Sequence, residues 1–300
     1  MTRLPQIALL PDGGRLHLQD GPIDLIVGAK GRAAEVRAAY DAAARRFTGL
    51  LDELCAELVE LRMAAEPAHC SLKGVVARRM HAAVAPFAAD CFITPMAAVA
   101  GAVAEEILGA MLKEASLDRA YVNNGGDIAL HLGHGEQFTV GLMDRPDRLG
   151  VMRTMIIEAD DASRGVATSG RHGRSFSLGI ADSVTILART ASQADAAATI
   201  VANAVDLPDH PAITRCAANL LQVDSDLGGR LVTRDVGPLS HSEIEDALGH
   251  GVDCARQLLA TGLIDGAVLC LSGETMVVGT RDLHAEARQG LHQHALQSAR

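Results

Sequence analysis

Hydrophobic residues recur every three or four positions along the first long segment of the chain. They are Val36, Tyr40, Ala43, Phe47, Leu50, Leu54, Leu58 and Leu61. This spacing lines one face of a helix, so it predicts a long packing helix. We expect the helix to end before Pro67, because a proline inside a helix removes a hydrogen bond. The apolar run from Ile23 to Val27, which ends at Gly28, predicts a strand ahead of it.

Small side chains dominate a second helical segment. It runs from Met96 to Leu108 directly after Pro95, and proline suits the first turn of a helix. A helix with so little bulk can lie close to another backbone or to a ligand. The pattern leaves a tightly packed core helix and a ligand-facing helix equally open. A further alanine-rich helix is predicted from Ser192 to Val205.

The remaining elements are strands and one C-terminal helix. The predicted strands are Arg119 to Asn123, Ile128 to Leu132, Phe138 to Met143, Thr154 to Glu158 and Ser183 to Ala188. The first three of these strands predict a β-meander, and the last two predict a strand pair. A hairpin is expected around Gly273. A helix is predicted from about His241 to Leu259, where Ser240 and Glu243 have the spacing of a capping box. Since strict βαβ alternation is missing, the order favours an α+β fold with helices on one face.

Composition and charge narrow the classes of protein. The chain has 300 residues, of which 48% are hydrophobic, enough for one large core or two fused smaller ones. A net charge of -10 disfavours a nucleic-acid partner. We find no signal peptide and no apolar run approaching the ~20 residues of a membrane span, so a cytoplasmic protein without a membrane partner is expected. The 6 cysteines are scattered, which predicts free and mostly buried thiols.

A polar stripe interrupts the alanine-rich helix. Asp195, Thr199 and Asn203 follow one another at i, i+4 and i+8, so they stack along one helix face. Carboxylate and hydroxyl oxygens are hard ligands that suit Mg²⁺, which takes one or two protein carboxylates and completes its shell with water or phosphate. The stripe is therefore either a wet surface or a buried metal site.

Two glycine-containing segments are rich in polar groups. In the first, Asn123 to Asp127, consecutive glycines let backbone amides approach a phosphate or a ring edge, although an ordinary Asn-Gly hairpin turn has the same pattern. The second, Gly165 to Ser183, combines glycines and hydroxyls with two arginines and a histidine. It suits an anionic ligand, or else it is a solvated loop. Neither segment matches the phosphate-loop or dinucleotide fingerprints.

Taken together and in this order, these segments resemble the ApbE superfamily. The matching motifs are Asn124-Gly125-Gly126-Asp127-Ile128, Ala167-Thr168-Ser169-Gly170 and Ala194-Asp195-Ala196-Ala197-Ala198-Thr199. The segment from Pro95 to Glu105 and the Ser-x-Ser-x-Gly-x-Ala-Asp-Ser run ending at Ser183 are similar to the uncharacterised protein family 0280 within it. The best-known members of the superfamily are FAD:protein FMN transferases, which use Mg²⁺ to attach FMN to a Ser or Thr of a target protein.

The resemblance implies a fold and a set of site residues. The fold would be a duplicated T-fold, with β-sheets packed against helix pairs, in a single ApbE-like domain of two intertwined halves over residues 1–281; residues 282–300 would form a polar tail or helix. Asp195 and Thr199 would bind Mg²⁺. A pocket for FAD or FMN would be formed by Asn124, Gly125, Gly126, Asp127, Thr168, Ser169, Gly170, Ser175 and Ser177. The catalytic candidates are Asp195, His172 and Asp182.

The chain also departs from the transferase pattern. It has no lysine between Lys73 and Lys113, where transferases carry one in the small-residue helix, and Gly179 to Ser183 stands in place of a His-Ile-x-Asp-Pro stretch. Three functions stay open: a Mg²⁺-dependent flavin-binding protein that transfers FMN, a repurposed enzyme of small-molecule metabolism such as that of sulfur amino acids, and a non-catalytic ligand-binding partner. A flavin or other small-molecule ligand is expected in each case, and a homodimer is predicted.

Overall fold

The computed structural model describes residues 4–142, 153–279 and 283–284. Their strands are β1 (Gln6–Leu9), β2 (Arg15–Asp20), β3 (Ile23–Lys30), β4 (Arg119–Asn124), β5 (Asp127–Leu132), β6 (Gln137–Leu142), β7 (Arg153–Glu158), β8 (Gly165–Ser169), β9 (Ser183–Ala188), β10 (Ile213–Ala217), β11 (Leu231–Val236), β12 (Gly266–Leu271), β13 (Glu274–Val278) and β14 (Leu283–His284). Their α-helices are α1 (Ala33–Phe47), α2 (Leu50–Cys55), α3 (Leu58–Leu61), α4 (Val75–Val84), α5 (Val99–Glu114), α6 (Ala191–Ala204), α7 (Ala218–Leu221) and α8 (His241–Ala260).

One sheet of nine strands dominates the molecule, in the order β1-β2-β3-β4-β5-β8-β9-β12-β13. Every neighbouring pair in it is antiparallel. The topology repeats: the hairpin β2–β3, the helices α1 and α5 and the hairpin β4–β5 are matched by β8–β9, α6 and α8, and β12–β13. The pairing of β5 with β8 joins the two halves. The α+β fold class is confirmed, and this repeat is the duplication expected of two T-fold halves.

The helices and a small sheet cover opposite faces of the large sheet. On the helical side, buried strand residues such as Leu25 and Val122 belong to one cluster with Ile107 of α5 and Val201 of α6. Alternate strand residues point to the other face, as the two-residue period of a strand requires. There they form a second cluster with Ile157 of β7, which lies in the three-stranded sheet β14-β7-β6. The site described below lies on the helical side.

Core packing explains the apolar character of α5. Residues Pro95–Glu114 are long and apolar enough to cross a membrane by length and composition, with a mean hydropathy of 1.4. The expectation that no stretch approaches this length is therefore wrong for this helix. Half of its most apolar stretch of 18 residues is buried within the protein, and Val103, Ile107 and Met111 are fully buried in the main core. A short 3-10 turn at Pro95–Ala98 precedes the helix.

The predicted long helix from Val36 to Leu61 is wrong in one respect. The structure divides it into α1, α2 and α3, and the first break falls at Gly49, whose φ of +84° lies in the left-handed region. Glycine adopts this region without steric cost, so the chain can turn there. The apolar period continues across the break because all three helices pack against the same core.

Strand pairing is the other point at which the predictions fail. The predicted meander of β4, β5 and β6 is wrong, because β6 leaves the large sheet and pairs with β7. The expected pairing of residues 154–158 with 183–188 is also wrong, since β9 lies between β8 and β12. Residues 165–169, expected in a loop, form β8. The predictions of β3, α6, α8 with its capping box, and the hairpin β12–β13 are confirmed.

The cysteines and the C-terminal residues were also covered by the sequence predictions. None of the six cysteines, all of which are described, forms a disulfide, but the expectation that most are buried is wrong, since Cys55, Cys70 and Cys91 are exposed and only Cys270 is buried. The predicted C-terminal tail or helix at residues 282–300 lies outside the described residues, apart from β14.

Candidate functional site

The Gly-Gly segment is a tight turn at the tip of the β4–β5 hairpin. Gly125 and Gly126 have φ values of +67° and +118°, a region that side chains disfavour. The Asn123 side chain accepts a hydrogen bond from the Gly126 amide at 2.8 Å. Asn124 and Asp127 face each other across the last pair of the ladder, and the buried Asn124 donates to the Ala100 carbonyl at 3.2 Å. The turn thus carries Asn124 and Asp127 to the first turn of α5.

Asp195 reaches the same place from the other half of the molecule. Its Oδ2 accepts a hydrogen bond from the Gly101 amide at 3.0 Å, and the Ala100 amide also stabilises the carboxylate. These amides lie in the first helical turn, whose N–H groups have no partner within the helix. Asp195 of α6 is therefore an N-terminal cap of α5.

The two helices cap each other. Glu105 of α5 accepts a hydrogen bond from the Ser192 amide, in the first turn of α6, at 2.6 Å, and Arg79 pairs with Glu105 at 3.2 Å. The crossing is close, because a side chain on Gly101 would lie 2.3 Å from the Ala191 carbonyl oxygen. Small residues and paired caps together hold Asp195 in place.

Asp127 and Asp195 form a pair of carboxylates at this junction. Asp127 accepts a hydrogen bond from the Thr168 amide at 3.2 Å. Loss of water on burial raises the pKa of Asp127 to about 7. Burial also raises the pKa of Asp195 well above its usual range, and repulsion from Asp127 adds to the increase. Two carboxylates that repel each other away from water favour a bound proton or a cation.

The polar stripe of α6 divides into two roles. Thr199 lies one turn beyond Asp195 and is partly buried, so it can supply a hydroxyl ligand next to the carboxylates. Asn203 instead accepts a hydrogen bond from the Leu178 amide at 3.0 Å and holds the loop that precedes β9. The donors fit Mg²⁺, which needs few protein carboxylates. In the described ranges no cluster of three or more His, Cys, Asp or Glu side chains is placed to hold a metal, so water or a phosphate would complete the shell.

Thr168, Ser169 and Gly170 form the end of β8 and the start of the following loop. The Thr168 hydroxyl bonds to that of Thr185 at 2.8 Å, and the Thr168 amide points to Asp127. Gly170 has a φ of +147°, and a side chain there would lie 2.5 Å from the Asp182 carbonyl oxygen. This segment is therefore closely packed beside Asp127, and its predicted role in lining a ligand pocket stays a prediction.

His172 and Asp182 contact each other within the loop that joins β8 to β9. Asp182 is 5% exposed and binds the His172 ring at 3.1 Å and Arg171 at 2.6 Å. Its second oxygen accepts from the Ser272 amide at 2.6 Å. These contacts tie the loop after β8 to the β12–β13 turn, so they give Asp182 an anchoring role. The catalytic assignment of both residues stays a prediction.

The two serines of the predicted pocket lie farther along the same loop. Ser177 is 5% exposed and donates to the Gly179 carbonyl at 3.2 Å, while its own carbonyl accepts from the Thr233 amide at 2.9 Å. Ser175 is exposed. Ser177 thus stabilises the loop with its hydroxyl, and Ser175 leaves its hydroxyl at the surface.

Sequence reasoning missed two residues of this region. Glu105 bonds to a partner 87 positions away, and no local motif marks such a pair. Arg174 lies over the Gly125 turn, with Nη1 3.4 Å from the place that a Gly125 side chain would take. The abundance of cationic donors in the loop was visible in the sequence, but it did not separate Arg174 from Arg171.

Comparisons with known proteins agree with this geometry. A family model described as AbpE bacteria matches residues 7–277. The chain belongs to this family. The resemblance to the ApbE superfamily is thereby confirmed, and the motifs at residues 124–128, 167–170 and 194–199 all lie within the matched range.

Several proteins of similar sequence carry the description UPF0280. Proteins described as UPF0280 proteins are 39% identical in Methanococcus vannielii over 44% of this chain and 55% of the relative, and 40% identical in Methanothermobacter thermautotrophicus over 39% and 44%. The relative in Methanopyrus kandleri is 35% identical over 52% of this chain and 59% of its own. The chain is thus similar in sequence to proteins of the UPF0280 type. It spans about half the length of the curated relatives that it matches.

A solved structure shares the fold. The apo crystal structure of the flavinyl transferase ApbE of Pseudomonas stutzeri aligns with a TM-score of 0.51 over 93% of this chain and 96% of that protein. The sequences are only 12% identical, so the similarity concerns the arrangement of helices and strands. It agrees with the repeated topology described above.

Proposed function

We propose that this ApbE-like protein binds a flavin nucleotide, or a similarly phosphorylated ligand, together with Mg²⁺. The observation that carries the proposal is the pair formed by Asp127 and Asp195, in which two partly buried carboxylates from the two halves of the fold repel each other. A divalent cation between them would remove that repulsion. Within the turn beside the pair, a Cβ on Gly126 would meet nothing within 4 Å, which leaves space there for a ligand.

In this proposal Asp195 and Thr199 would hold the metal, as the family resemblance implies, with Asp127 beside them. A bound Mg²⁺ would neutralise charge on phosphoryl oxygens. The chain itself would contribute Asn124 and the Thr168 segment as walls of the pocket, and the mutual caps of α5 and α6 would fix the position of Asp195. Transfer of FMN from FAD to a protein hydroxyl is then the first reaction to test.

A second function is favoured by the sequence itself. The segment between Lys73 and Lys113 contains no lysine. Asp182 lies where transferases carry the His-Ile-x-Asp-Pro stretch, and its carboxylate is already bound by the Arg171 side chain and the Ser272 amide. These departures support a repurposed ApbE-like enzyme that uses the same pocket for another small-molecule reaction, with sulfur amino acid metabolism as one candidate. We also propose a cytoplasmic location and a homodimer, as the sequence analysis predicts.

Flavin binding and turnover would separate these functions. Purified protein would be titrated with FAD and FMN with and without Mg²⁺, and AMP release from FAD would be followed with a threonine-containing acceptor peptide. We expect binding that depends on Mg²⁺ and weakens at least about tenfold in Asp195→Asn, while Asp253→Asn on the surface of α8 leaves it unchanged. AMP release with labelled peptide supports FMN transfer, and binding without AMP release supports the repurposed enzyme or a non-catalytic carrier. Absence of Mg²⁺-dependent binding would overturn the proposal.

A further inference from the structure

Arg174 lies on the loop between β8 and β9, beside the Gly125 turn that carries Asp127. We infer that Arg174 is the phosphate-recognition residue of this site and that it binds the phosphate of a ligand held beside Asp127 and Asp195. The inference rests on the proposed function, because it names the group that would receive the ligand's anionic part. The position, the exposure and the charge of the Arg174 guanidinium support this role.

The position follows from the absence of a side chain in the turn. Nη1 and Cζ of Arg174 lie 3.4 and 3.5 Å from the point that a Cβ on Gly125 would occupy. The guanidinium therefore lies against the backbone of the turn that carries Asp127. Its field reaches this carboxylate and opposes the increase that burial causes in the pKa of Asp127. Arg174 thus lies beside the Gly125 turn and within electrostatic reach of Asp127.

Availability distinguishes Arg174 from the other arginine of the loop. The Arg171 side chain is 16% exposed and is clamped on Asp182 at 2.6 Å. The Arg174 side chain is 66% exposed, and its Nη2 is 4.0 Å from Asp24, at the limit of an ion pair. Asp24 is already engaged, because its other oxygen binds the His17 ring at 2.7 Å. Arg171 is thus a structural arginine, whereas the donors of Arg174 are free to turn towards a ligand.

Charge and shape make phosphate the group that fits. A site with two carboxylates repels an anion unless a cation bridges them, and a metal-bound phosphate still has oxygens that point outwards. Arginine presents paired N–H donors in a planar fork that matches two phosphate oxygens. A guanidinium beside the turn can bind those oxygens while the metal is held by the acidic side chains. A neutral ring system offers Arg174 no anionic oxygen for such a paired contact.

The test compares probes with and without phosphate. Calorimetric titrations in the presence of Mg²⁺ would measure the affinity of FMN, riboflavin and inorganic pyrophosphate for wild type, Arg174→Gln and Arg174→Lys. The control is Arg256→Gln, since Arg256 is 68% exposed and pairs with Asp253 on α8. We expect Arg174→Gln to weaken FMN and pyrophosphate at least about tenfold, the loss expected for a charged hydrogen bond. Riboflavin affinity should stay within about twofold, and Arg174→Lys should give an intermediate loss.

The outcomes separate this inference from the proposed flavin function. Unchanged affinity for FMN and pyrophosphate in Arg174→Gln would overturn it, as would an equal loss for riboflavin. If wild type binds pyrophosphate but neither flavin, the flavin proposal fails and the pyrophosphate comparison still decides the role of Arg174. If wild type binds none of the three probes, both fail. Because the side chain is exposed, the thermal midpoint of Arg174→Gln should match that of wild type and so exclude misfolding.

Discussion

Glu105 and Asp195 each accept hydrogen bonds from the first turn of the other's helix. Glu105 on α5 binds the Ser192 amide of α6 at 2.6 Å, and Asp195 on α6 binds the Gly101 amide of α5 at 3.0 Å. Each carboxylate also lies near the positive end of the partner helix, which is electrostatically favourable. The residue implicated in metal binding is thus part of the joint between the two halves of the fold, and its position depends on Glu105.

Removal of the Glu105 cap should destabilise the protein and weaken the site. We expect Glu105→Ala to lower the free energy of unfolding by about 1–2 kcal/mol, the usual effect of a lost helix cap, and to weaken Mg²⁺ binding because the first turn of α6 loosens. Glu105→Gln keeps an acceptor for the Ser192 amide and should lose less. Urea denaturation and Mg²⁺ titration would measure both effects. The control is Glu114→Ala at the exposed end of α5. Equal stability of Glu105→Ala and Glu114→Ala would contradict the structural role.

Two glycines of α5 should respond in opposite ways to alanine. A Cβ on Gly101 would lie 2.3 Å from the Ala191 carbonyl oxygen, whereas one on Gly109 would meet nothing within 4 Å. Because backbone atoms cannot move aside cheaply, Gly101→Ala should separate the helices and cost at least about 3 kcal/mol. Gly109→Ala should instead stabilise the helix by up to about 1 kcal/mol. Denaturant midpoints of the two variants would test this, and similar midpoints would show that the close crossing is wrong.

Local patterns predicted the parts of the structure whose causes are local. The apolar period located α5, α6 and α8, and the glycine pair marked the turn beside Asp127. Pairing between distant segments could not be predicted in this way. The departure of β6 from the main sheet and the bond between Glu105 and Ser192 depend on which surfaces meet after folding. A single sequence contains no direct signal for such contacts.

The site was predictable to the same extent. Asp195 and Thr199 were singled out because helical spacing and family resemblance coincide, and their role as metal ligands stays a prediction. The capping role of Asp195 was not visible, because its partner amides lie almost a hundred positions earlier, in another helix. Asn203 was assigned to the same stripe, yet it binds the Leu178 amide, since the helix extends past the junction to the loop before β9. Spacing identifies a shared helix face, and tertiary packing decides what each residue on that face contacts.

The carboxylate pair should make metal-free protein less stable as the pH rises. The pKa of Asp127 is about 7 in the folded protein and about 3.9 in an unfolded chain. Between these values the folded state holds a proton that the unfolded state has lost. As far as Asp127 is concerned, stability is therefore highest below about pH 4, falls as the pH rises from about 4 to about 7, and levels off above that. The raised pKa of Asp195 acts in the same direction. In EDTA we expect the thermal midpoint to fall by at least about 3 °C between pH 5 and pH 8.

Replacement of the charge tests the origin of this dependence. Asp127→Asn cannot ionise and should show a smaller decrease in the thermal midpoint over the same pH range, whereas Asp253→Asn, on the surface of α8, should behave like wild type. Other titrating groups are common to all three proteins and cancel in the comparison. If Mg²⁺ binds the ionised pair as proposed, it should raise the midpoint more at pH 8 than at pH 5 in wild type. If Asp127→Asn retains the full pH dependence, the two carboxylates do not interact as the structure indicates, and the basis for placing a cation between them is lost.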